Sequence, residues 1–498
     1  MKNDSESAGS AIPSAANTEV HDVWRLDRGL ILLLALATFI CLWRPSRTAL
    51  WLDETWRANA CLHSDQGMAH MMPPLYLFLQ KGLCWLLGPG ETSFRLLSGL
   101  AGIGTVASVW LLARLMFGAR VALVAGFLVA CHPWLVLLAR EGKDYALSNA
   151  FSPLVCALTV AWLIRPRQTL MFSVGAIGAL GILCSWSVCF VAAACLAVMA
   201  FGSLVWSRFH KDWPSFAFAG GMVLVATLID YWWAISSTCF NAFVNDPDEW
   251  VWPSPGIKGH FLWLIRQSWE LLQTILVHKY TFYAGIYSVI LGLALCVGVA
   301  VRGQRSGWFL SILMTTVAGA VCAAVIHRWP YSGCRTMMFL VPLVAPIIAA
   351  GLCWLCTQLW KEGHFPALFF VALVCGLLPL AWSLNAATRR PSAYDFRSVA
   401  SKITPLFQSN DLIVLLPLAE HEFNFYTKNL PQGVRVKPAK GYEQIHAWVQ
   451  QERPRRFWII NTHWLLPQVF LQVETNYNRL AVFTGGNARV ELFQTSFR

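Results

Sequence analysis

The chain has 498 residues, of which 56% are hydrophobic, and 38 Lys and Arg against 26 Asp and Glu give a formal net charge of +12. Only 13% of the residues are charged, against about 25% in soluble domains, which excludes one large soluble globule. The 13% aromatic content excludes a disordered chain. Several apolar runs reach the roughly 20 residues that span a bilayer, so the composition predicts a polytopic membrane protein.

The N-terminal 387 residues hold these runs. Residues 1–22 are polar and predict a disordered cytoplasmic tail. The first run, about 29–45, follows Arg25 and Arg28 and predicts an uncleaved first span rather than a signal peptide. Later runs bring the predicted total to about eleven spans. They lie at roughly 93–113, 121–139, 145–164, 169–185, 188–206, 214–236, 281–301, 307–326, 336–358 and 364–385.

Basic residues in alternate short loops predict the orientation of these spans. By the positive-inside rule these loops and the N-terminus lie in the cytoplasm, and an odd number of spans then places the C-terminus outside. The short run 73–88 contains Lys81, and counting it as a span would invert every later loop. It therefore predicts a helix in the outer interface. The predicted transmembrane domain covers 23–387, with a first outer loop at 46–92.

The composition changes at about residue 388. Strand-like runs at 411–417, 457–461, 479–484 and 488–494 alternate with helical patterns at about 419–427, 441–451 and 465–475. This alternation predicts a small α/β domain over 388–498. The predicted fold class is therefore a polytopic α-helical membrane protein with a C-terminal extracytoplasmic α/β domain, which is periplasmic in a bacterium.

The first outer loop carries two adjacent carboxylates, Asp53 and Glu54, directly after the first span. Ionisable groups at the membrane surface are costly and are commonly functional. One carboxylate could act as a general base on an acceptor hydroxyl while the other holds a metal or an arginine. The alternative is a solvated helix cap paired with Arg57.

Two further outer loops are basic, Arg140 to Tyr145 and His327 to Arg335. Short outer loops ordinarily avoid Lys and Arg, so these charges suggest an anionic ligand such as a lipid phosphate, which Arg binds bidentately. The alternative is local pairing, of Arg140 with Glu141 or of Lys143 with Asp144.

Metal and nucleotide chemistry have weaker signals. The acidic cluster at 245–249 is typical of a solvated turn. Five scattered histidines have no short metal spacing, so no metal ligand is assigned and a divalent metal ion stays a possibility. They are His63, His70, His260, His278 and His327. A phosphate-binding glycine motif between a strand and a helix is absent from the sequence, and the basic charge is explained by topology rather than by nucleic acid.

Several motifs together resemble a known family. They are the Asp-Glu pair after the first span, the Pro-Pro-Leu-Tyr step at 73–76, residues 94–99 (FRLLSG) and residues 113–118 (ARLMFG). They resemble the polyprenyl-phosphate-sugar glycosyltransferases of the C superfamily (GT-C), above all the protein O-mannosyltransferase-like family 39 and its relative, the lipid A aminoarabinose transferase. Residues 140–145 match an Arg-Glu-Ala-Arg-Pro-Tyr-like stretch of that family, with Lys143 and Asp144 replacing Arg and Pro. Residues 335–342 match a later Arg-Tyr-to-Pro pattern, with Thr336 in place of the aromatic.

The resemblance implies a transfer reaction at the outer membrane face. A sugar would move from a polyprenyl-phosphate donor to a hydroxyl of a glycolipid, glycan or protein acceptor, with inversion at the anomeric carbon. Asp53 would be the general base and Glu54 would position the acceptor or a metal. Arg140, Lys143 and Arg335 would neutralise the phosphate. The remaining substrate-binding candidates are Arg57, His70, Tyr76, Asp144, Tyr145 and Arg328. A bacterial inner membrane is the expected location.

Two other functions fit the same composition. A transporter or lipid flippase should place ionisable groups at mid-membrane and show internal repeats. The spans hold Asp230 near one end, and the chain has no convincing repeat. A membrane sensor with an outer ligand-binding domain would leave the Asp53–Glu54 loop unexplained. The sequence therefore favours the glycosyltransferase.

Overall fold

The computed structural model describes residues 27–63, 69–205, 213–235, 252, 256–276, 284–300, 304–359, 376–377, 379–381, 395–462, 467–485 and 487–495. The predicted tail, the acidic cluster at 245–249, His278 and most of the last apolar run lie outside these residues. The helices up to residue 359 are α1 (Arg28–Leu42), α2 (Leu52–His63), α3 (Pro74–Leu87), α4 (Glu91–Phe117), α5 (Ala119–Cys131), α6 (Pro133–Arg140), α7 (Tyr145–Ile164), α8 (Gln168–Cys184), α9 (Val188–Val205), α10 (Trp213–Ile235), α11 (Ile257–Leu276), α12 (Ala284–Ala300), α13 (Gln304–Val325) and α14 (Val341–Leu359).

The protein is an integral membrane protein. Five of the described helical stretches are long and apolar enough to cross a bilayer, at 91–117, 145–164, 213–234, 306–325 and 335–358. Helices α5 and α6, which meet at a bend of 58°, would make a sixth span if they cross together. Four further apolar helices, including α1 and α8, are shorter. Each apolar run predicted within the described residues is helical, and the total of about eleven spans stays a prediction.

Three described helices of the membrane part lie outside the long apolar runs: α2, α3 and α11. Helix α3 occupies the run that predicts an interfacial helix, and its exposed side chains Phe78, Trp85 and Leu86 are 64%, 84% and 67% accessible. Helix α11 lies between the predicted spans 214–236 and 281–301, where the sequence pattern predicts only a connecting loop. Its apolar residues occur on two faces: Trp263 is buried, whereas Ile265 and Trp269 are exposed. Charged Arg266 and Glu270 keep its hydropathy below that of a span, which is why the pattern conceals it.

The C-terminal part is the predicted small α/β domain. Its elements are α15 (Phe396–Ile403), β1 (Leu412–Leu415), α16 (Ala419–Tyr426), β2 (Arg435–Pro438), α17 (Tyr442–Glu452), β3 (Arg456–Asn461), α18 (Pro467–Asn476), β4 (Asn478–Gly485) and β5 (Ala488–Gln494). The sheet order is β2-β1-β3-β5-β4, with β1 parallel to β2 and β3, and β5 antiparallel to β3 and β4. Strand β2 and helix α15 were not predicted from the sequence. Strand β2 has no strand-like hydrophobic pattern, because it is a short edge strand with charged residues at alternate positions.

The two faces of this sheet carry separate apolar cores. Helices α15 and α16 cover one face with Phe396, Ile403 and Phe423, whereas α17 and α18 cover the other with Ile445 and Phe470. Helix α16 also packs against α2 of the membrane part, where the side-chain amide of Asn59 donates to the carbonyl of His421 over 2.7 Å. The small domain therefore rests on the helix that begins with the Asp-Glu pair.

Candidate functional site

The Asp-Glu pair lies in the first turn of α2, directly after the irregular segment 43–51. The two adjacent side chains have different surroundings. The Asp53 side chain is 30% exposed, whereas Glu54 is only 1% exposed. Neighbouring helical residues point about 100° apart, so one carboxylate faces solvent and the other faces the protein.

Two cations neutralise Asp53. The Lys143 ammonium lies 2.6 Å from Asp53 Oδ2, and Arg335 Nη1 lies 3.2 Å from the same oxygen. Burial raises the pKa of Asp53, but Lys143, Arg335 and Arg57 lower it more, so the net shift is downward. Asp53 is therefore held as a carboxylate that a solvent-borne ligand can still reach.

Lys143 comes from the loop between α6 and α7 and is 1% exposed. Burial and the charge of Arg335 lower its pKa to about 8, against the opposing effects of Glu141 and Asp53. Glu141 Oε2 lies 3.7 Å from the ammonium. The Trp51 ring lies beneath both cations, 3.9 Å from Lys143 Nζ and 5.2 Å from Arg335 Cζ. The predicted alternative pairing of Lys143 with Asp144 is wrong, since Lys143 pairs with Asp53 and Glu141.

Glu54 is engaged within the protein. Its carboxylate accepts from Arg95 Nε and Nη2 at 2.8 and 2.6 Å, and from the backbone amide of Gly142 at 2.8 Å. A Cβ at Gly142 would lie 2.7 Å from the carbonyl oxygen of Phe94, so only glycine permits this close approach. Glu54 therefore ties α2 to α4 and to the Lys143 loop. The predicted role of Glu54 in holding an acceptor or metal has no support from this geometry, because its oxygens are occupied.

Arg95 is a residue that the motif reading did not place in the site. Besides Glu54, its guanidinium donates to the carbonyls of Pro45, Thr48 and Ala49 at 2.7, 2.7 and 3.0 Å. It therefore fixes the segment that leads into Asp53. The sequence signal that could have identified Arg95 is its charge, four positions after the start of the otherwise apolar helix α4.

Arg57 and Asp144 form a second ion pair beside Asp53. Arg57 Nη1 lies 2.5 Å from Asp144 Oδ1, and the guanidinium lies 5.9 Å from the Tyr76 ring and 5.8 Å from the Tyr145 ring. Burial lowers the pKa of Arg57, but the Asp144 charge and the two phenols raise it more. Four predicted substrate-binding residues therefore meet next to the base candidate. They are Arg57, Tyr76, Asp144 and Tyr145.

Three other predicted residues make different contacts. Arg140 Nη1 donates to the carbonyls of Ile40 and Trp43 at 2.8 and 3.1 Å, so Arg140 caps the C-terminal end of α1. Arg328 is exposed in the turn after α13. The His70 ring packs 4.3 Å from the Trp233 ring and its Nδ1 lies 3.1 Å from the Trp233 carbonyl. The substrate contacts predicted for these three side chains have no support from the geometry.

The described residues contain no cluster of three or more His, Cys, Asp or Glu side chains placed to hold a metal ion. The cations around Asp53 also oppose a divalent ion at that carboxylate.

The ion pairs around Asp53 form one cluster, in which Lys143, Arg335 and Arg57 face three carboxylates, those of Asp53, Glu141 and Asp144. Such an arrangement can bind an anion by exchanging one carboxylate partner for another acidic group.

Comparison with known proteins places this geometry in a family context. Residues 71–232 match the family model of the dolichyl-phosphate-mannose-protein mannosyltransferases. That segment contains Tyr76, Arg95, Lys143 and Asp144 but neither Asp53 nor Arg335. No curated protein sequence is significantly similar to this chain.

Solved structures match over nearly the whole chain. ArnT from Cupriavidus metallidurans in the apo state is 15% identical with a TM-score of 0.58, covering 93% of this chain and 97% of that one. The same ArnT bound to undecaprenyl phosphate is 14% identical with a TM-score of 0.56 and the same coverage. The Archaeoglobus fulgidus oligosaccharyltransferase complex with Zn and sulfate is 12% identical with a TM-score of 0.49, covering 86% and 67%. The chain therefore shares the fold of ArnT, and its residues 71–232 match the model of the dolichyl-phosphate-mannose-protein mannosyltransferase family.

Proposed function

We propose that this protein transfers a sugar from a polyprenyl-phosphate donor to an acceptor hydroxyl, with Asp53 as the general base. The observation that carries the proposal is the partly exposed Asp53 carboxylate, paired with Lys143 at 2.6 Å and Arg335 at 3.2 Å. ArnT from Cupriavidus metallidurans, which has the same fold, has been solved bound to undecaprenyl phosphate. The phosphate of such a lipid suits these two cations. The acceptor is a glycolipid, a glycan or a protein, and the donor sugar is a hexose or a pentose.

The reaction is a single displacement. The acceptor oxygen forms a bond to the anomeric carbon while the bond from that carbon to the phosphate oxygen breaks, and the configuration inverts. The electron pair of the broken bond leaves with polyprenyl phosphate, where Lys143 and Arg335 stabilise the charge. The hydroxyl proton passes to an oxygen of Asp53.

The paired state of Asp53 suggests how donor binding prepares the base. Lys143 and Arg335 lower the pKa of Asp53, which makes it a weak base while they remain paired with it. A donor phosphate competes for the same two cations. As they turn to the phosphate, the pKa of Asp53 rises towards a value that suits proton abstraction.

The site and the small domain are proposed to lie on the outer face of a bacterial inner membrane. This proposal is supported by the basic residues in alternate short loops, which predict a cytoplasmic N-terminus by the positive-inside rule. Lys143 and Arg335, which break that charge pattern, are the two cations at Asp53. Their function in phosphate binding accounts for basic residues on the outer side.

Substitution of Asp53 by Asn tests the proposal. We expect the product glycolipid or glycoprotein to lose one sugar in mass spectra of cell extracts, with the rate falling about 10²- to 10⁴-fold because the base is lost. The matched control is Glu443→Gln, which changes an exposed carboxylate of α17. If Asp53→Asn protein is present in the membrane and all products are unchanged, Asp53 is not the base.

A further inference from the structure

The irregular segment 43–51 forms neither helix nor sheet. Apart from the turn bond from the Arg47 amide to the Arg44 carbonyl over 3.2 Å, its backbone groups need partners outside the segment. Arg95 of α4 holds three of its carbonyls from the membrane side. Arg397 of α15, in the small domain, holds two more: its guanidinium donates to the carbonyls of Ser46 and Arg47 at 2.9 and 3.1 Å. The segment that leads into Asp53 is thus held between the two domains.

Tyr426, the last residue of α16, binds the end of this segment. Its hydroxyl accepts from the backbone amide of Leu50 over 2.6 Å and donates to Glu91 Oε1 over 2.9 Å. Arg397 Nη1 lies 2.5 Å from the other Glu91 oxygen. Burial raises the pKa of Tyr426, so the phenol stays protonated and can serve both partners. Leu50 itself is fully buried, three residues before Asp53.

The small domain also contacts α2 beyond Asp53. The Asn59 amide donates to the His421 carbonyl at 2.7 Å, and the Trp56 ring meets the His421 ring edge-on at 5.5 Å. Contacts from one helix of the small domain therefore reach both sides of Asp53. We therefore infer that the position of α16 determines the orientation of the first turn of α2.

We propose that Tyr426 is a positioning residue that fixes Asp53 through the Leu50 amide, so the small domain takes part in aligning the base. The inference rests on the proposed function of Asp53. A general base must lie within hydrogen-bond reach of the proton that it removes. A displacement of about 1 Å caused by a distant change can lower the rate about 100-fold.

Tyr426→Phe tests the inference because it removes only the hydroxyl and keeps the ring. For the product that Asp53→Asn suppresses, we expect kcat to fall about 10- to 100-fold while KM for the lipid donor changes by less than about twofold. In the Asp53→Asn background the same substitution should cause no further loss, since it acts through Asp53. The matched control is Tyr477→Phe, which removes a hydroxyl bonded to His446 at 2.8 Å on the other side of the sheet.

Three results would overturn the inference: an unchanged kcat in Tyr426→Phe, an equal loss in Tyr477→Phe, or a further loss in the Asp53→Asn background. If Tyr426→Phe cannot be purified folded, Arg397→Gln carries the same expectations, because it releases Ser46 and Arg47 from the small domain.

Failure of the proposed function can be distinguished from failure of the inference about Tyr426. If Asp53→Asn leaves all products unchanged, the base assignment fails, and hydrogen exchange measures the positioning alone. Amides of residues 46–53 should then exchange faster in Tyr426→Phe than in the wild type or in Tyr477→Phe. Equal exchange in all three proteins would contradict the contact between Tyr426 and Leu50 as the determinant of this segment.

Discussion

At the scale of single residues, the adjacent carboxylates Asp53 and Glu54 have different surroundings and therefore different roles. Asp53 is partly exposed and paired with Lys143 and Arg335, whereas Glu54 is buried against Arg95. The residues alone mark the pair as unusual, and the family resemblance implies that Asp53 is the base, but neither indicates that Glu54 is occupied by Arg95. Their difference follows from the helical rotation between adjacent positions, and it leaves Asp53 as the carboxylate that a ligand can reach.

Lys143 predicts a pH dependence of donor binding. Burial and Arg335 lower its pKa to about 8, so it loses its charge as the pH rises through that value. We expect the Kd for undecaprenyl phosphate, measured by calorimetry in detergent, to be constant between the second phosphate pKa of about 6 and the pKa of Lys143. Above the Lys143 pKa, the Kd should rise about tenfold for each pH unit. Lys143→Arg should abolish this slope, because guanidinium keeps its proton.

The control for this measurement is Lys440→Arg, an exposed lysine of the small domain. It should keep the wild-type slope. A slope that persists in Lys143→Arg would show that another group controls binding, and the phosphate-binding role of Lys143 would be wrong.

At the scale of elements, the site is an assembly of helix starts and loops joined by buried ion pairs. Helix α2, the start of α4 and the loop before α7 meet at Glu54, which binds Arg95 and the Gly142 amide. Neither partner of Glu54 follows from local pattern, since they lie 41 and 88 residues away. The Asp53 helix and the Lys143 loop thus share one buried connection.

Glu54→Gln should destabilise this assembly. The Arg95 and Glu54 side chains are 3% and 0% exposed, so the substitution leaves a buried guanidinium without its counter-charge. Breaking such a pair costs about 3–5 kcal/mol, and we expect a lower Tm in detergent by intrinsic fluorescence or light scattering. Glu443→Gln, in the exposed part of α17, should melt like the wild type. A Glu54→Gln protein with unchanged Tm would mean that the pair does not hold these elements together.

At the scale of the whole molecule, the orientation in the membrane decides which side the site faces. The positive-inside pattern predicts an outer location for the small domain. An alkaline phosphatase fused after residue 390 should be active in cells, whereas green fluorescent protein at the same place should be dark. The short basic loop between the predicted spans 145–164 and 169–185 contains Arg165 and Arg167, and the same rule predicts that it is cytoplasmic. The same pair of reporters fused within this loop should give the opposite result. A fluorescent fusion after residue 390 would overturn the topology and the outer-face site.

The sequence by itself determined the class of protein, most helix positions and the identity of the base candidate. Hydrophobic run length and the α/β alternation after residue 388 are local properties, so they survive without knowledge of the fold. For the same reason Asp53, Lys143 and Arg335 could be singled out as charges in unusual places.

Only the tertiary structure decided which of these charges meet. It joins Asp53 to Arg335 across 282 residues, withdraws Arg140 to the end of α1, and adds Arg95 and Tyr426 to the surroundings of the site. It also assigns helix α11, whose mixed polarity resembles a loop. The physical reason is that hydrogen bonds and ion pairs between distant segments depend on packing geometry. Hydrophobic periodicity in a sequence indicates helices and strands, but it does not indicate which distant residues make contact.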